Sequence, residues 1–331
     1  MDSDFKLVRW SEGGFQENAW DTIVKDSDNG TLLHMRSFLS YHGDRFAEQI
    51  EDFGVLRRGK LIGVLRLGVE NRDQTRIARA PIGSSFGGPV TRHRLELHDT
   101  EMLCGALREL VEREGWDRMH IRFAPDCYSK NSDETLEYSL IRNGFQPVDW
   151  EVSTVIKLEH DQDAQWRRIK ARYRNVISKS GKDWKVMNDV SVEEFYPILL
   201  EDKERHDNAK PTHTLAELKL LKERFPEQIK MDVGVHEDGS RAGICYFELT
   251  PTIAMTFYLS QEDEAVGKNG VRVLLWDGLK RYVDGRFEYL DLGTSTIGLE
   301  IQNIGVSRFK ETFGAVSYLR RAFEFSADAK G

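Results

Sequence analysis

Cysteine and proline are scarce in this chain. Three cysteines (Cys104, Cys127 and Cys245) and 8 prolines are spread over 331 residues. Cysteines so few, odd in number and far apart give neither a disulfide framework nor the close pairs of a zinc site, and a reducing compartment is expected. So little proline, with no low-complexity tract, excludes a linker-dominated or collagen-like chain. No apolar run approaches the ~20 residues that span a bilayer. The opening MDSDFKLVRW is acidic and polar, unlike a basic segment leading into an apolar one. The expectation is a soluble, cytoplasmic protein with no membrane partner. An excess of positive charge is missing too: the formal net charge of −8 argues against a general nucleic-acid binder. What is present is core-forming material, 40% hydrophobic against 31% charged, enough to exclude wholesale disorder. The length is about twice that of a usual domain, so two domains are expected.

A weak internal duplication supports that division. In the first half, LRRGKLIGVLRLGVE (56–70) turns at Gly59-Lys60 into an alternating run, the pattern of a β-hairpin. SSFGGPV (84–90) is a glycine-bearing loop, TEMLCGALRELVEREG (100–115) has helical spacing and a glycine stop, and WDRMHIRFAP (116–125) alternates as a strand. NGFQPVDWEVSTVIKLE (143–159) is a turn followed by a β-branched run. The second half repeats the order: a hairpin turn at Asp238-Gly239, the strand TIAMTFYLS (252–260), the loop VGKNGV (266–271), the helix VRVLLWDGLKRYVDG (271–285), the strand RFEYLDLGTS (286–295) and a final strand in TFGAVSYLRRAFEF (312–325). Matching landmarks lie about 170–180 residues apart. A tandem repeat of one α/β module accounts for five features in one order, with a border at 160/161.

A strand followed by a glycine loop that opens a helix leaves backbone N–H groups and the positive end of the helix dipole facing outward, a site for an anion. Gly267, Lys268, Asn269 and Gly270 have that form, although neither GxxxxGK[ST] nor GxGxxG is present. A tight turn that merely starts a helix reads the same way.

Three stretches carry a family resemblance: LLHMRSFLSYHGDRF (32–46), SSFGGPV (84–90) and LDLGTSTIGLEIQNIGVSRFKETFGA (290–315). Together they resemble the tandem GNAT-type proteins related to the Fem peptidoglycan aminoacyltransferases, in particular the branch often found in polysaccharide and natural-product gene sets. The resemblance spans nearly the whole chain and is most specific from Gly305 to Gly314. It implies an α/β fold of two tandem GNAT-like modules, each a mixed sheet flanked by helices, sharing a central cleft. The modules would cover 1–160 and 161–331, the second opening with a basic helix. The implied chemistry is acyl transfer to an amine. No protein nucleophile is required for it, and GxSxG is absent.

The resemblance also points to residues. The lysine of the matching Phe-Lys pair contacts the reacting end of the acyl group in Fem-like relatives, which makes Lys310 a stabiliser of developing charge and Phe309 a wall of the channel. As plain sequence, Arg308-Phe309-Lys310-Glu311 is an ordinary charged helical turn. The stretch 165–185 holds eight basic residues and one acid, and Trp166, Ile169, Tyr173 and Val176 follow helical spacing. Its arginine forks suit phosphate oxygens. By the family match Arg174, with Arg172 beside it, would grip the diphosphate of a nucleotide-linked acceptor. The tyrosine that relatives have one turn later is Ser178 here, which puts a muropeptide acceptor in doubt. A solvated basic helix between two modules is the other reading.

By the resemblance Tyr258 ends a central GNAT strand, where a phenol can relay a proton; a plain packed tyrosine reads the same way. Alternation assigns Met255, Phe257 and Leu259 to one face and Thr256, Tyr258 and Ser260 to the other. Asp291, Thr294, Ser295 and Asn303 leave a strand for a polar loop and are acceptor-binding candidates. His206 and His213 flank a Lys-Pro loop and read as surface residues; no metal is expected, since no HExxH or ligand cluster occurs. The favoured donor is acyl-CoA, bound through the Gly267–Gly270 loop, and the favoured acceptor a small-molecule amine such as an amino sugar. Aminoacyl-tRNA as donor, acting on a peptidoglycan precursor or peptide, is the alternative. A non-catalytic ligand-binding tandem module is the third reading.

Overall fold

A computed structural model describes residues 4–131, 133–205 and 209–327. In chain order it shows β1 (Phe5–Arg9), α1 (Ala19–Asp26), α2 (Arg36–Leu39), β2 (Ile50–Arg57), β3 (Lys60–Arg72), β4 (Thr75–Ala80), β5 (Val90–Thr91), α3 (Leu97–Glu114), β6 (Arg118–Arg122), α4 (Thr135–Arg142) and β7 (Gln146–Lys157). There follow α5 (Gln162–Arg168), α6 (Ala171–Ser180), β8 (Trp184–Met187), α7 (Val192–Arg205), α8 (Leu215–Arg224), β9 (Ile229–His236), β10 (Arg241–Thr250) and β11 (Ile253–Gln261). The chain closes with α9 (Gly270–Asp284), β12 (Tyr289–Thr294), β13 (Thr296–Ile297), β14 (Ile301–Gln302), α10 (Ile304–Glu311) and β15 (Val316–Ser326). No helix among the described residues is long and apolar enough to cross a membrane.

The chain divides into two compact units, Met1–Glu151 with Gly298–Glu300 and Tyr318–Gly331, and Val152–Ile297 with Ile301–Ser317. Both are mixed sheets with helices packed on them. The first unit runs β1-β2-β3-β4-β6-β15, antiparallel except for the parallel pair β4/β6. The second runs β8-β9-β10-β11-β12-β7, antiparallel except for β11/β12. Each parallel pair needs a crossover, supplied by α3 in one unit and α9 in the other.

Sequence repeats and compact units do not share a border. The closing strand of the first repeat, β7, pairs with β12 of the second unit, and the closing strand of the second repeat, β15, pairs with β6 of the first.

Local chemistry explains the element ends. Arg58 and Gly59, both at positive φ (49° and 75°), make the two-residue turn from β2 to β3. The turn from β9 to β10 is longer, with Gly239 at φ 92° and the N–H of His236 on Ser240 O at 2.9 Å. Gly115 ends α3 in the left-handed region, its N–H on Glu112 O and the N–H of Trp116 on Val111 O. The apolar face of α3 (Leu103, Leu107, Leu110, Val111) buries against Phe53, Leu65, Met119 and Ile121 in the first unit's core. In the second unit Leu274, Leu275 and Leu279 of α9 pack on Ile244, Tyr246 and Leu290. Complete burial of such side chains stabilises by roughly 1.5–3 kcal/mol each. The basic stretch is two helices rather than one: Ile169 is extended (ψ 130°) and buried, and the N–H of Lys170 turns to Thr312 O at 2.9 Å. The spacing that suggested one continuous face therefore fails at Ile169.

Candidate functional site

In the second unit the parallel pair opens into a wedge. β11 and β12 share three rungs, Ile253↔Tyr289, Ala254↔Leu290 and Met255↔Asp291, after which β11 continues to Gln261 beside β10. Two local features part the strands. The register of β11 against β10 shifts between Thr256 and Tyr258, leaving Phe257 as the extra residue of a bulge. On β12, Gly293 takes φ 79° and donates its N–H to Asp291 Oδ1 at 2.6 Å.

From β11 the chain reaches the Gly267–Gly270 loop, where Gly267 (φ 84°) and Asn269 (φ 64°) are left-handed, and α9 begins at Gly270. Two of the expected anion ligands have other work here. Lys268 pairs with Asp238 and reaches Ser240 Oγ at 3.1 Å. Gly270 is glycine because a Cβ there would lie 2.3 Å from Cη2 of Trp184. The unspent charge is Arg272, which the sequence reading missed. Its guanidinium lies 5.3 Å from the Tyr173 ring centre and 5.1 Å from that of Phe309, with Nη1 on Asn269 Oδ1 at 3.2 Å. Nε is buried without a hydrogen-bond partner, no carboxylate among the described residues pairs with it, and burial pulls its pKa down. The first turn of α9 carries no acid either. A desolvated cation at a helix N-terminus suits a phosphate or carboxylate.

Arg272 also joins motifs that are remote in sequence. Tyr173 belongs to the basic stretch, and the guanidinium of Arg172 also lies 5.7 Å from the centre of its ring. Phe309 belongs to the Phe-Lys pair, with Phe313 edge-on at 5.8 Å. Arg174 stands outside this stack: its Nη1 returns to Arg167 O at 3.1 Å.

Lys310 is not a solvated residue of a charged turn. It is 3% exposed, and its Nζ donates to Gly293 O and Thr294 O, both at 2.7 Å. Burial lowers its pKa to about 8, opposed by the charge of Asp291. Asp291 is itself buried, accepting from Ser153 Oγ at 2.8 Å as well as from Gly293 N. The lysine thus sits at the bend of β12, with two N–H bonds spent on carbonyls and one left. Ser295 Oγ is 2.9 Å from Thr154 Oγ1, and Asn303 caps α10 by accepting from Val306 N at 3.0 Å. Ser295 and Asn303, with Thr296, Ser307, Arg308 and Glu311, line a separate cavity of about 310 Å³. Asp291 and Thr294 are absent from its lining.

Tyr258 is buried, and the bulge cancels the alternation expected of its strand: Phe257 and Tyr258 both meet His213. His213, expected on the surface, is 2% exposed. The residue just before the cap of α8 lies against the bulge, and its imidazole packs 5.1 Å from Phe257 and 6.1 Å from Phe247. Its Nδ1 lies 2.7 Å from Tyr258 Oη, and its own N–H donates to that oxygen at 3.2 Å. One signal could have placed it: Thr214 and Glu217 form a capping box that fixes the start of α8 one residue later. His206 lies outside the described residues.

No family model matches the chain, and no curated protein matches it. Solved structures do. FemX aligns over 98% of this chain and 98% of its own at TM-score 0.69 and 12% identity. A tandem GNAT protein from the clavulanic acid biosynthesis pathway, solved without AcCoA, covers 99% of this chain and 100% of its own at TM-score 0.55 and 14% identity. L-PGS from Bacillus licheniformis covers 95% and 92% at TM-score 0.60 and 9% identity. At these identities the likeness is one of fold: the chain has the tandem GNAT-type fold also found in FemX.

Proposed function

From that fold and the unpaired cation at its wedge, we propose that the chain is an amide-forming acyltransferase, moving an acyl group from acyl-CoA to the amine of a small acceptor such as an amino sugar, including a nucleotide-linked one. The observation that carries this reading is Arg272 at the N-terminus of α9, beside strands that part after three rungs. Phosphates of the donor would meet the first turn of α9 and the edge of Arg272, while the acyl group enters between β11 and β12. The amine nitrogen attacks the thioester carbonyl, and negative charge grows on its oxygen. Lys310 supplies the fixed positive charge nearest the bend of β12; being buried, it acts through a low-dielectric path and needs little reorganisation. Tyr258 is the proton-handling group of β11. Ser295 and Asn303 are the acceptor contacts this reading retains, with Arg172 and Arg174 available to an acceptor diphosphate.

A tRNA-dependent aminoacyl transfer is favoured by one feature, the alternation Arg172–Tyr173–Arg272–Phe309, whose rings and guanidinium planes also suit a stacked base and its phosphate. Thermal titration of the purified protein with acetyl-CoA and, separately, with aminoacyl-tRNA tests both. A ligand held by the folded state alone at ~100 times its Kd adds about 2.7 kcal/mol. Stabilisation by the CoA thioester and none by charged tRNA is the expected result; the reverse selects the tRNA reading. Binding without product in any amine mixture selects a ligand-binding module.

A further inference from the structure

Three tryptophans belong to the second unit, and only one is fully accommodated by it. Trp184 is 6% exposed, and its indole N–H donates to Lys268 O at 3.1 Å. Trp166 and Trp276 are half-buried, with ring centres 4.6 Å apart at 49°. Neither indole N–H has a partner among the described residues. The break at Ile169 brings this pair about. Split at that residue, α5 and α6 each lay one aromatic on α9: Trp166 on Trp276 and Tyr173 on Arg272. Arg272 and Trp276 stand one turn apart on the same face of α9, while Leu274, Leu275 and Leu279 pack into the core.

We infer that this ladder holds the nucleotide end of the donor, with adenine stacked on the Trp166–Trp276 pair; the inference rests on the acyl-CoA reading and deepens it. In coenzyme A the thioester and the adenine lie on opposite sides of the diphosphate, and a single ribose separates the base from the phosphates. A diphosphate at the first turn of α9, beside Arg272, puts the base about one turn along the helix, where Trp276 stands. Every base offers a π face to an indole, and a free indole N–H can donate to a ring nitrogen or a ribose oxygen.

Charge fits the same ligand. The ribose 3′-phosphate falls to Arg167, which follows Trp166 on α5, is exposed, and pairs with no carboxylate among the described residues. Asp277 and Glu159, which would repel a phosphate, are already held by Lys280 at 2.7 Å and by Arg168 at 2.8 Å. Two aromatic rings, an uncompensated arginine at each end and two free indole N–H groups therefore match a phosphorylated adenosine better than an apolar partner.

Calorimetric titration with 3′,5′-ADP, acetyl-CoA and S-acetylpantetheine, which lacks the nucleotide, tests the assignment. Wild type should bind 3′,5′-ADP, release it to acetyl-CoA, and hold acetyl-CoA about 10-fold or more tighter than S-acetylpantetheine. Trp166→Leu should weaken both nucleotide-bearing ligands about 5- to 150-fold, the range for stacking of one base. It should leave S-acetylpantetheine unchanged, a split that lost packing alone would not give. Trp276→Leu should behave alike. If either tryptophan variant does not fold, Arg167→Ala decides, an exposed change that should erase the preference for acetyl-CoA over its 3′-dephospho form. Equal affinity of wild type for acetyl-CoA and S-acetylpantetheine overturns the nucleotide site and leaves acyl transfer standing. So does an equal loss of all three ligands in Trp166→Leu, or an unchanged preference in Arg167→Ala. Binding of neither thioester sinks the acyl-CoA reading and this site with it. Displacement of 3′,5′-ADP by the trinucleotide CpCpA, with acetyl-CoA unbound, overturns the assignment in favour of tRNA.

Discussion

The two units treat the same parallel pair in opposite ways. In the first, β4 and β6 share four rungs, and the chain beyond β4 then folds back along them. Gly87 donates to Arg122 O at 2.9 Å, and Val90 and Thr91 pair with Val64 and Gly63 of β3. Gly88, at φ 119°, lets this segment press on Phe123, since a Cβ there would come within 2.7 Å of the ring. The start of α3 is also compensated: Asp99 sits in its first turn and pairs with Arg57 at 2.6 Å. In the second unit β11 runs through a short loop straight into α9, whose first turn has no acid and an unpaired arginine. One unit satisfies its wedge and helix start with its own chain. The other leaves both uncompensated, and it is there that the proposed function puts its donor.

The largest effect expected from breaking this asymmetry is at Lys310. Lys310→Met retains much of the apolar stem. Losing one stabiliser of an oxyanion costs about 10²–10³ in kcat, or roughly 2.7–4 kcal/mol, and kcat and kcat/KM should fall together. Some stability should go as well, because the carbonyls of Gly293 and Thr294 lose their donor. Turnover within a factor of about three of wild type, in a folded variant, would remove Lys310 from the chemistry.

The same lysine gives a pH test with two signs. Its pKa is lowered by burial to about 8, so the unfolded chain binds more protons than the folded one from there up to the usual lysine value. Stability should therefore rise with pH across about 8 to 10.5, by about 3 kcal/mol in wild type relative to Lys310→Met. Turnover should fall over the lower part of that window as the charge is lost. Parallel stability profiles for the two proteins would show that the amine is not buried as a cation.

Much of the architecture was legible because it rests on local rules. The hairpin turns, the glycine stop of α3 and the strand–loop–helix order all follow from residues within a few positions of one another. What was not legible depends on distant partners. Nothing within β7 or β15 says which sheet it joins, since alternation reads the same in either. Arg308-Phe309-Lys310-Glu311 reads as a surface turn until Gly293 and Thr294 supply carbonyls 17 and 16 residues away. His213 packs against Tyr258, 45 residues on, and the need for glycine at 270 comes from the close approach of Trp184. Arg272 lay unnoticed inside an apolar helix. Its one signal was a charge in the first turn between Val271 and Val273.

Arg272 sharpens the contrast at intermediate cost. Arg272→Met should weaken donor binding by about 1.5–3 kcal/mol, the range for a hydrogen bond to a charged group. The matched change in the first unit, Asp99→Asn, should leave donor affinity unaltered, because that helix start is already satisfied. Calorimetric titration of both variants with acetyl-CoA checks the pair. Equal losses would mean that the donor does not distinguish the units.

The smallest effect separates two neighbours in the basic stretch. Arg172 stacks on Tyr173, the ring that also meets Arg272, whereas the half-buried Arg174 bonds back to Arg167 O. If phosphate recognition works through the stack, Arg172→Ala should weaken binding of the nucleotide-bearing substrate, and Arg174→Ala should change it by less than about 0.5 kcal/mol, as for an ordinary surface residue. A clamp formed by both arginines on an acceptor diphosphate predicts the other pattern: comparable losses in acceptor KM for the two single variants, fading with acceptors that lack the diphosphate. Titrating donor and acceptor separately against each variant decides between them. An Arg174→Ala loss confined to the acceptor would return that arginine to the site, with its bond to Arg167 O exchanged for phosphate on binding; a loss at Arg172 confined to the donor would tie the basic stretch to the wedge of the second unit.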